Sequence, residues 1–157
     1  MNRLYYQEVQ PGNALPPVQL SVSTSDVISG AMASRDYSPL HHDYHYVTGQ
    51  AGHRDIFLNT PHQAAFFERY LGEWSGPLGR LGRMRFTMKA SVYAGDAFEL
   101  KAEVMECVVD EVGCAWVTVK LQIHVGEILC TECQARYALP IDENDNPWLR
   151  RGQEWQP

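Results

Sequence analysis

A short segment near residue 40 concentrates the side chains that could carry acid–base chemistry. It contains Asp36, His41, His42, Asp43 and His45 within ten residues, and a turn with one proline separates the first two. A carboxylate and an imidazole placed in this way can both point into one small site and move a proton to or from a bound water at neutral pH. The spacing therefore predicts that Asp36 and His41 form a general acid–base pair.

The same segment is open to three other interpretations. A metal site could use His41, His42, His45 and Asp43, although adjacent histidines rarely both bind one ion. A nucleophile triad would need a serine elbow, which the chain lacks, or a cysteine outside the strand-like runs. The third interpretation is a solvated loop in which Asp36 caps nearby backbone groups and the histidines are surface residues. Composition alone leaves these alternatives open.

Two predicted helices flank this segment. The Ser-Thr-Ser-Asp sequence at 23–26 is typical of a helix start, and apolar residues follow at helical spacing until about Ser34. A longer helix is predicted to begin at Thr60, because Thr60 and Gln63 match a capping box with proline at the first helical position. Gly76-Pro77 is expected to end it. The apolar stripe of this helix consists of Ala64, Phe67, Tyr70, Leu71 and Trp74.

Most of the remaining chain alternates apolar and polar residues with the period of two that β-strands show. A short strand is predicted over 19–23, after an irregular N-terminal arm. A meander of four strands is predicted over 84–92, 98–104, 115–125 and 129–139. The pattern indicates an α+β fold in which a curved sheet wraps around one long helix. The tail from 142 onward is expected to be flexible or to dock its tryptophans on a neighbour.

Length and charge narrow the classes of protein that remain. With 157 residues the chain is expected to form one domain, with a core over about 5–140 and a tail over 141–157. The formal net charge of −6 argues against nucleic acid as a partner. The absence of a signal-peptide pattern and of a long apolar run predicts a cytoplasmic protein with no membrane partner. Arg80, Arg83, Arg85 and Lys89 form a local basic cluster that could still meet an anion.

The segment Asp36-Tyr37-Ser38-Pro39-Leu40-His41 resembles the D-x-N-P-[LIV]-H signature of the MaoC-like (R)-specific enoyl-CoA hydratases and dehydratases. The resemblance covers roughly residues 5–140 and includes the Gly95-Asp96 turn. It implies a hotdog fold, with an antiparallel sheet curved around one central helix. Further stretches are similar to the small subunit of actinobacterial steroid side-chain enoyl-CoA hydratases; they lie at 34–36, 41–43, 55–59, 69–70 and 74–77.

This resemblance implies hydration of a trans-2-enoyl-CoA, or dehydration of a 3-hydroxyacyl-CoA, with Asp36 and His41 activating the water. It implies no metal or redox cofactor, and coenzyme A enters as part of the acyl-CoA substrate. The negative charge that develops on the thioester oxygen needs a fixed donor, and the family's donor position falls at Asn59, just before the long helix. Two alternatives are a hotdog thioesterase and a non-catalytic subunit that binds acyl-CoA beside a catalytic homologue.

The chain departs from the family pattern at three places. Leu58-Asn59 replaces a His-Gly pair, Ser38 replaces the asparagine of the motif, and Phe67 stands where simpler hydratases have a serine that supports the dyad. Asn59, Ser38 and Phe67 are therefore candidate oxyanion and substrate-binding residues. A different acyl group, a partner subunit or reduced activity could each explain the changes. The resemblance also implies an oligomer, either a homodimer or a hetero-oligomer with a second hotdog subunit.

Overall fold

Residues 3–157, which a computed structural model describes, form a five-stranded antiparallel sheet and three α-helices. The strands are β1 (Ala14–Ser21), β2 (Arg80–Met88), β3 (Ala97–Val109), β4 (Ala115–Val125) and β5 (Ile128–Ala138), in the order β1-β3-β4-β5-β2. The helices are α1 (Thr24–Ala33), α2 (Tyr44–Gly49) and α3 (Thr60–Ser75). None of these helices is long and apolar enough to cross a membrane.

Helix α3 forms the centre of the main hydrophobic core. The ring of Phe67 is fully buried and lies 6.0 Å from the ring of Phe86 on β2. Phe66 meets Phe98 on β3 edge to face, with 5.2 Å between the ring centroids. Burying one such side chain contributes about 1.5–3 kcal/mol. The predicted stripe is thus confirmed in its central part, while Ala64 and Trp74 at its ends are only half-buried.

Two hydrogen bonds attach α3 to strands that lie apart in the sheet. The Tyr70 hydroxyl donates to the carbonyl of Pro16 on β1 at 2.8 Å. The Thr131 hydroxyl on β5 donates to Oε1 of Gln63 at 2.5 Å, and both of these side chains are buried. Polar groups removed from water have to be paired, so these contacts fix the position of α3 along the sheet as well as its distance from it.

Strand β1 is longer than the predicted strand at 19–23, because it already begins at Ala14. It includes Pro16 and Pro17, which lack the N–H that a ladder needs. The strand tolerates them because it lies at the edge of the sheet and its register with β3 shifts between Leu15 and Val18. Proline is found at such edges and bulges. The expectation of an irregular arm over this stretch was wrong for that reason.

The predicted four-strand meander was also wrong in one respect. Strands β3, β4 and β5 do follow each other as neighbours, but β2 pairs with β5 at the far edge instead of with β3. Strand β2 ends at Met88, earlier than the predicted limit of 92, because the N–H groups of Lys89 and Ala90 converge on the carbonyl of Cys130. Alternation in a sequence specifies which face of a strand is buried but not which strand lies beside it.

Helix α3 starts with a different cap from the one predicted. The N-cap is Asn59, whose Oδ1 accepts the N–H of His62 at 3.1 Å, so the predicted capping box of Thr60 with Gln63 was wrong. The helix ends at Gly76 as predicted, where φ is 77°. Helix α2, with Asp43 as its N-cap, begins within the site segment and was not anticipated.

The end of α1 sets the course of the chain into the site segment. The N–H of Arg35 donates to the carbonyl of Met32 at 3.1 Å, and the N–H of Asp36 donates to that of Ala31 at 2.9 Å. This pair of bonds is a Schellman motif, which places its middle residue in the left-handed region, usually as glycine. Here the middle residue is Arg35, with φ of 56°.

The C-terminal tail packs on the chain's own sheet, so the expectation of a flexible tail was wrong. Docking of its tryptophans on a neighbouring chain stays a prediction, since the ring of Trp148 is half-exposed. The ring of Trp155 lies 4.7 Å from that of Trp116 on β4. The guanidinium of Arg80 lies over the ring of Trp155, 3.6 Å from its centroid, and donates to the carbonyl of Pro147 at 2.9 Å. Cation–π contacts of this kind stabilise such a docked segment.

The conformation of Arg35 gives a testable expectation for stability. A side chain in the left-handed region costs about 1 kcal/mol that glycine avoids, so Arg35→Gly should raise the free energy of unfolding by roughly 0.5–1 kcal/mol. Urea denaturation measures the difference. Arg35→Ala is the matched control, since it removes the same charge but keeps the strain. Equal stability of the two variants would contradict this explanation.

Candidate functional site

His41 is held in a defined orientation by a backbone carbonyl. It ends the 3-10 turn Pro39–His41 and is only 7% exposed. Its Nδ1 lies 2.8 Å from the carbonyl oxygen of Phe57. A carbonyl can only accept, so Nδ1 carries the hydrogen and donates it. In the neutral ring Nε2 therefore has a free lone pair, and this atom lies 3.4 Å from Oδ2 of Asp36.

The carbonyl of Phe57 is available because of a short β-bridge. Phe57 pairs with Tyr93 in antiparallel fashion, and the neighbouring N–H of Leu58 donates to the carbonyl of Val92 at 2.9 Å. In antiparallel pairing successive residues direct their polar groups to opposite sides. The carbonyl of Phe57 consequently points away from the bridge and towards His41.

The contact between Asp36 and His41 requires a hydrogen between them. A carboxylate oxygen and an unprotonated Nε2 are both acceptors, and at 3.4 Å they repel each other unless they share a proton or a donor. Protonation of the ring satisfies this requirement, and so does a water molecule that donates to both atoms. The pair can therefore hold a water and exchange protons with it.

Asp36 receives two hydrogen bonds of its own. Oδ2 accepts from the Asn59 side-chain amide at 3.1 Å, and Oδ1 accepts from the backbone N–H of Ser38 at 3.2 Å. The bond from Asn59 is the main reason why the pKa of Asp36 lies below its ordinary value, and partial burial opposes the shift. The bond from Ser38 is the local backbone cap that the solvated-loop interpretation anticipated. The two roles coexist because they use different oxygens.

A cavity of about 340 Å³ opens beside the imidazole. Its wall is partly apolar and also includes six polar or basic residues: His41, Asn59, Thr60, Gln63, Lys89 and Ser91. Asp36 contacts two of these, His41 and Asn59. Volumes above about 300 Å³ are typical of sites for small organic ligands. The cavity therefore brings a ligand within reach of the candidate dyad.

The N-terminus of α3 lies at the wall of this cavity. Pro61 has no N–H, and the N–H of His62 is already bound by the cap at Asn59. For the N–H groups of Asn59 and Thr60 we find no protein acceptor within residues 3–157. Both residues line the cavity. Free amides at a helix start attract negative charge, and the helix dipole adds to the attraction.

Not every residue proposed from the sequence reaches the cavity. Phe67 is fully buried in the core and does not line the wall. Ser38 supports Asp36 through its backbone, but its side chain is not part of the wall either. Of the predicted basic cluster, Lys89 is at the cavity, whereas Arg83 and Arg85 line a separate groove on the outer face of the sheet.

Two contacts of the candidate site were missed from the sequence. Gln63 was interpreted as a capping residue, but it is 1% exposed, and its Nε2 reaches the cavity wall beside the sulfur of Met88 at 3.4 Å. A polar residue one position from the apolar stripe was the available signal. Phe57 contributes through its carbonyl, and a backbone group leaves no signature in the residue type.

The histidines that suggested a metal site do not converge. His42 and His45 are exposed, and the ring of His45 lies against Tyr44 at 6.0 Å. Within residues 3–157 no group of three or more histidine, cysteine, aspartate or glutamate side chains is arranged to hold a metal ion. The described residues therefore bring Asp36 and His41 together, as the dyad interpretation expects, but they do not bring the other histidines to one point.

A curated relative matches more than half of the chain. It is the 3-oxo-4,17-pregnadiene-20-carboxyl-CoA hydratase beta subunit of Mycobacterium tuberculosis, 30% identical over 93 residues, which are 59% of this chain and 71% of the relative. No family model matches the sequence.

Solved structures share the fold over most of the chain. The ChsH1-ChsH2 complex from Mycobacterium tuberculosis gives a TM-score of 0.75 at 25% identity, over 83% of this chain and 98% of that one. The (R)-hydratase from A. caviae involved in PHA biosynthesis gives 0.73 at 22% identity, over 85% and 99%. A MaoC-like dehydratase from Rhodospirillum rubrum gives 0.75 at 15% identity, over 87% and 96%. These likenesses confirm the hotdog fold expected from the sequence.

The tautomer of His41 can be measured directly. Because the Phe57 carbonyl accepts from Nδ1, the neutral ring should carry its hydrogen on Nδ1 and leave Nε2 free. Nitrogen NMR of isotope-labelled histidine distinguishes the two tautomers. The exposed His42 serves as an internal comparison and should show a mixture of both. A neutral His41 protonated on Nε2 would contradict the arrangement described above.

Proposed function

The chain belongs to the MaoC-like hydratase and dehydratase family, and from this premise we propose that it adds water to a trans-2-enoyl-CoA or removes it from a 3-hydroxyacyl-CoA. The observation that carries the proposal is the approach of Asp36 Oδ2 to His41 Nε2 at 3.4 Å beside the cavity. The family membership supports the reaction class, and the geometry supports the residues that would perform it.

In the hydration direction, a water is held between Asp36 and His41. One of its O–H bonds breaks as its oxygen forms a bond to C3 of the enoyl group. The dyad takes up that proton and passes it to C2, so that the hydroxyl and the hydrogen on C2 both derive from water. The hydrogen bond from Asn59, the chief cause of the lowered pKa of Asp36, favours the ionised carboxylate, which is the form that can accept a hydrogen bond from the water.

Addition at C3 moves negative charge onto the thioester oxygen. The N–H groups of Asn59 and Thr60, at the start of α3, are free to donate to an oxygen in the cavity. Because they are held by the helix, they need no rearrangement as the charge develops, which is how fixed donors lower a barrier. The backbone of Asn59 thus fills the oxyanion role in this proposal.

The substrate of the proposal is an acyl-CoA with its acyl group in the cavity. Lys89 stands at the wall with its ammonium half-exposed, 3.6 Å from Glu132, where it can also meet an anionic group. Water addition neither oxidises nor reduces the substrate, so the proposal calls for no redox cofactor, and coenzyme A enters only as the carrier of the acyl group.

We also propose that the chain works in an oligomer with another hotdog chain. Within residues 3–157, strands β1 and β2 each pair on one side only, and such open edges are usually covered. The likeness to a structure of two named chains, ChsH1 and ChsH2, supports a second hotdog subunit as that partner.

The dyad is tested by following the loss of absorbance of the conjugated thioester with short and bulky trans-2-enoyl-CoA substrates. Asp36→Asn and His41→Ala should each lower kcat/KM by roughly a hundredfold or more, because each removes a proton-transfer group. The exposed neighbours supply matched controls, Asp43→Asn and His42→Ala, which should stay within about threefold of wild type.

Three outcomes of this assay would contradict the proposal. Release of free thiol would identify a thioesterase. Binding of acyl-CoA without turnover, both alone and with a second hotdog subunit, would identify a non-catalytic subunit. Equal loss in the controls and in the dyad variants would mean that the segment matters only for folding.

The oligomer is tested by light scattering of the purified chain. A mass of at least two protomers, or a monomer that forms a stable complex on co-expression with a second hotdog protein, is the expected result. A monomer that is fully active by itself would contradict the proposed assembly.

A further inference from the structure

The side chain of Asn59 joins three parts of the site. It is 2% exposed and lies where the end of α1, the segment with the dyad and the start of α3 meet. Its Oδ1 accepts the N–H of His62 at 3.1 Å. Its Nδ2 donates to the hydroxyl of Ser34 at 2.8 Å and to Oδ2 of Asp36 at 3.1 Å. Both N–H bonds of the amide are therefore used.

The direction of these bonds follows from the partners themselves. A backbone N–H can only donate, so the amide atom that faces His62 has to be the oxygen, and the nitrogen faces the other way. The hydroxyl of Ser34 donates to the carbonyl of Gly30 at 2.8 Å, which leaves its oxygen free to accept from Asn59. The network thus presents an N–H to Asp36 and cannot be reversed.

We infer that the Asn59 side chain is a positioning residue, which uses the rigid start of α3 to hold Asp36 Oδ2 against His41 Nε2. The oxygen that Asn59 contacts is the same one that lies 3.4 Å from the imidazole. The inference rests on the proposed function and adds a second role to a residue that lines the cavity and whose backbone N–H is the proposed oxyanion donor. The same bond is the leading cause of the lowered pKa of Asp36.

A plain helix cap would explain part of the network, and the two roles can be separated. Glycine is tolerated at N-cap positions with little loss, so Asn59→Gly removes the donor to Asp36 while the helix and the backbone N–H remain. Asn59→Asp keeps an oxygen for the N–H of His62 but faces Asp36 with a carboxylate. Asn146→Gly is the matched control, because Asn146 caps the turn Pro147–Leu149 in the tail.

The first measurement is titration of the Asp36 carboxyl by carbon NMR, which needs no enzyme activity. In Asn59→Gly the pKa of Asp36 should rise towards its ordinary value, and in Asn59→Asp it should rise further because a second carboxylate faces it. In Asn146→Gly it should not move. An unchanged titration of Asp36 in both Asn59 variants overturns the inference.

The second measurement is the pH dependence of hydration. Asn59→Gly should lower kcat by roughly ten- to hundredfold with KM within about twofold, as expected for loss of a hydrogen bond to a charged group. In Asn59→Asp the acid limb of kcat/KM should move to higher pH, since a raised pKa means that Asp36 takes up its proton earlier on acidification. Wild-type kcat and an unmoved limb overturn the inference. A wild type with no activity contradicts the proposed function instead, and the titration still decides the role of Asn59.

Discussion

The burial of helix α3 against the curved sheet is the constraint on which the rest of the structure depends. Aromatic rings on the helix pack against β2 and β3, while hydrogen bonds at Tyr70 and Gln63 fix it along β1 and β5. A helix held on so many strands cannot slide or rotate. Its first residues therefore stand at one fixed place, and that place is the wall of the cavity. The packing of the core therefore also determines where the backbone N–H groups and the N-cap of α3 lie.

The segment that carries the dyad is made rigid mainly through backbone groups. A Schellman motif directs the chain into Asp36, and a carbonyl freed by the Phe57–Tyr93 bridge orients the imidazole of His41. Loops often carry functional residues, but they are usually more mobile than helices and strands. Here each end of the loop is bound to a neighbouring element, so the carboxylate and the imidazole meet without depending on long side chains of their own.

The departures from the family pattern have different structural meanings. Phe67 is fully buried and packs near Phe86 of β2, so it belongs to the aromatic core and not to the cavity wall. Ser38 leaves the local cap intact, because the contact that it makes is through its backbone N–H. Asn59 changes the chemistry most, since its amide adds a donor to the carboxylate that a glycine could not provide. Support for Asp36 therefore comes from the cap of α3.

The sequence by itself determined the class of fold, the ends of α1 and β4, and the identity of Asp36 and His41 as candidates, because capping residues, alternation and a short motif are local signals. It did not determine that β2 lies beside β5, that β1 runs through two prolines, or that Gln63 faces a cavity. Those features depend on contacts between residues far apart in the chain. The hydrogen-bond partners of the dyad, the carbonyl of Phe57 and the side-chain amide of Asn59, also depend on such distant contacts. Only the folded chain decides them, because a hydrogen bond between distant segments exists only when packing brings its two ends together.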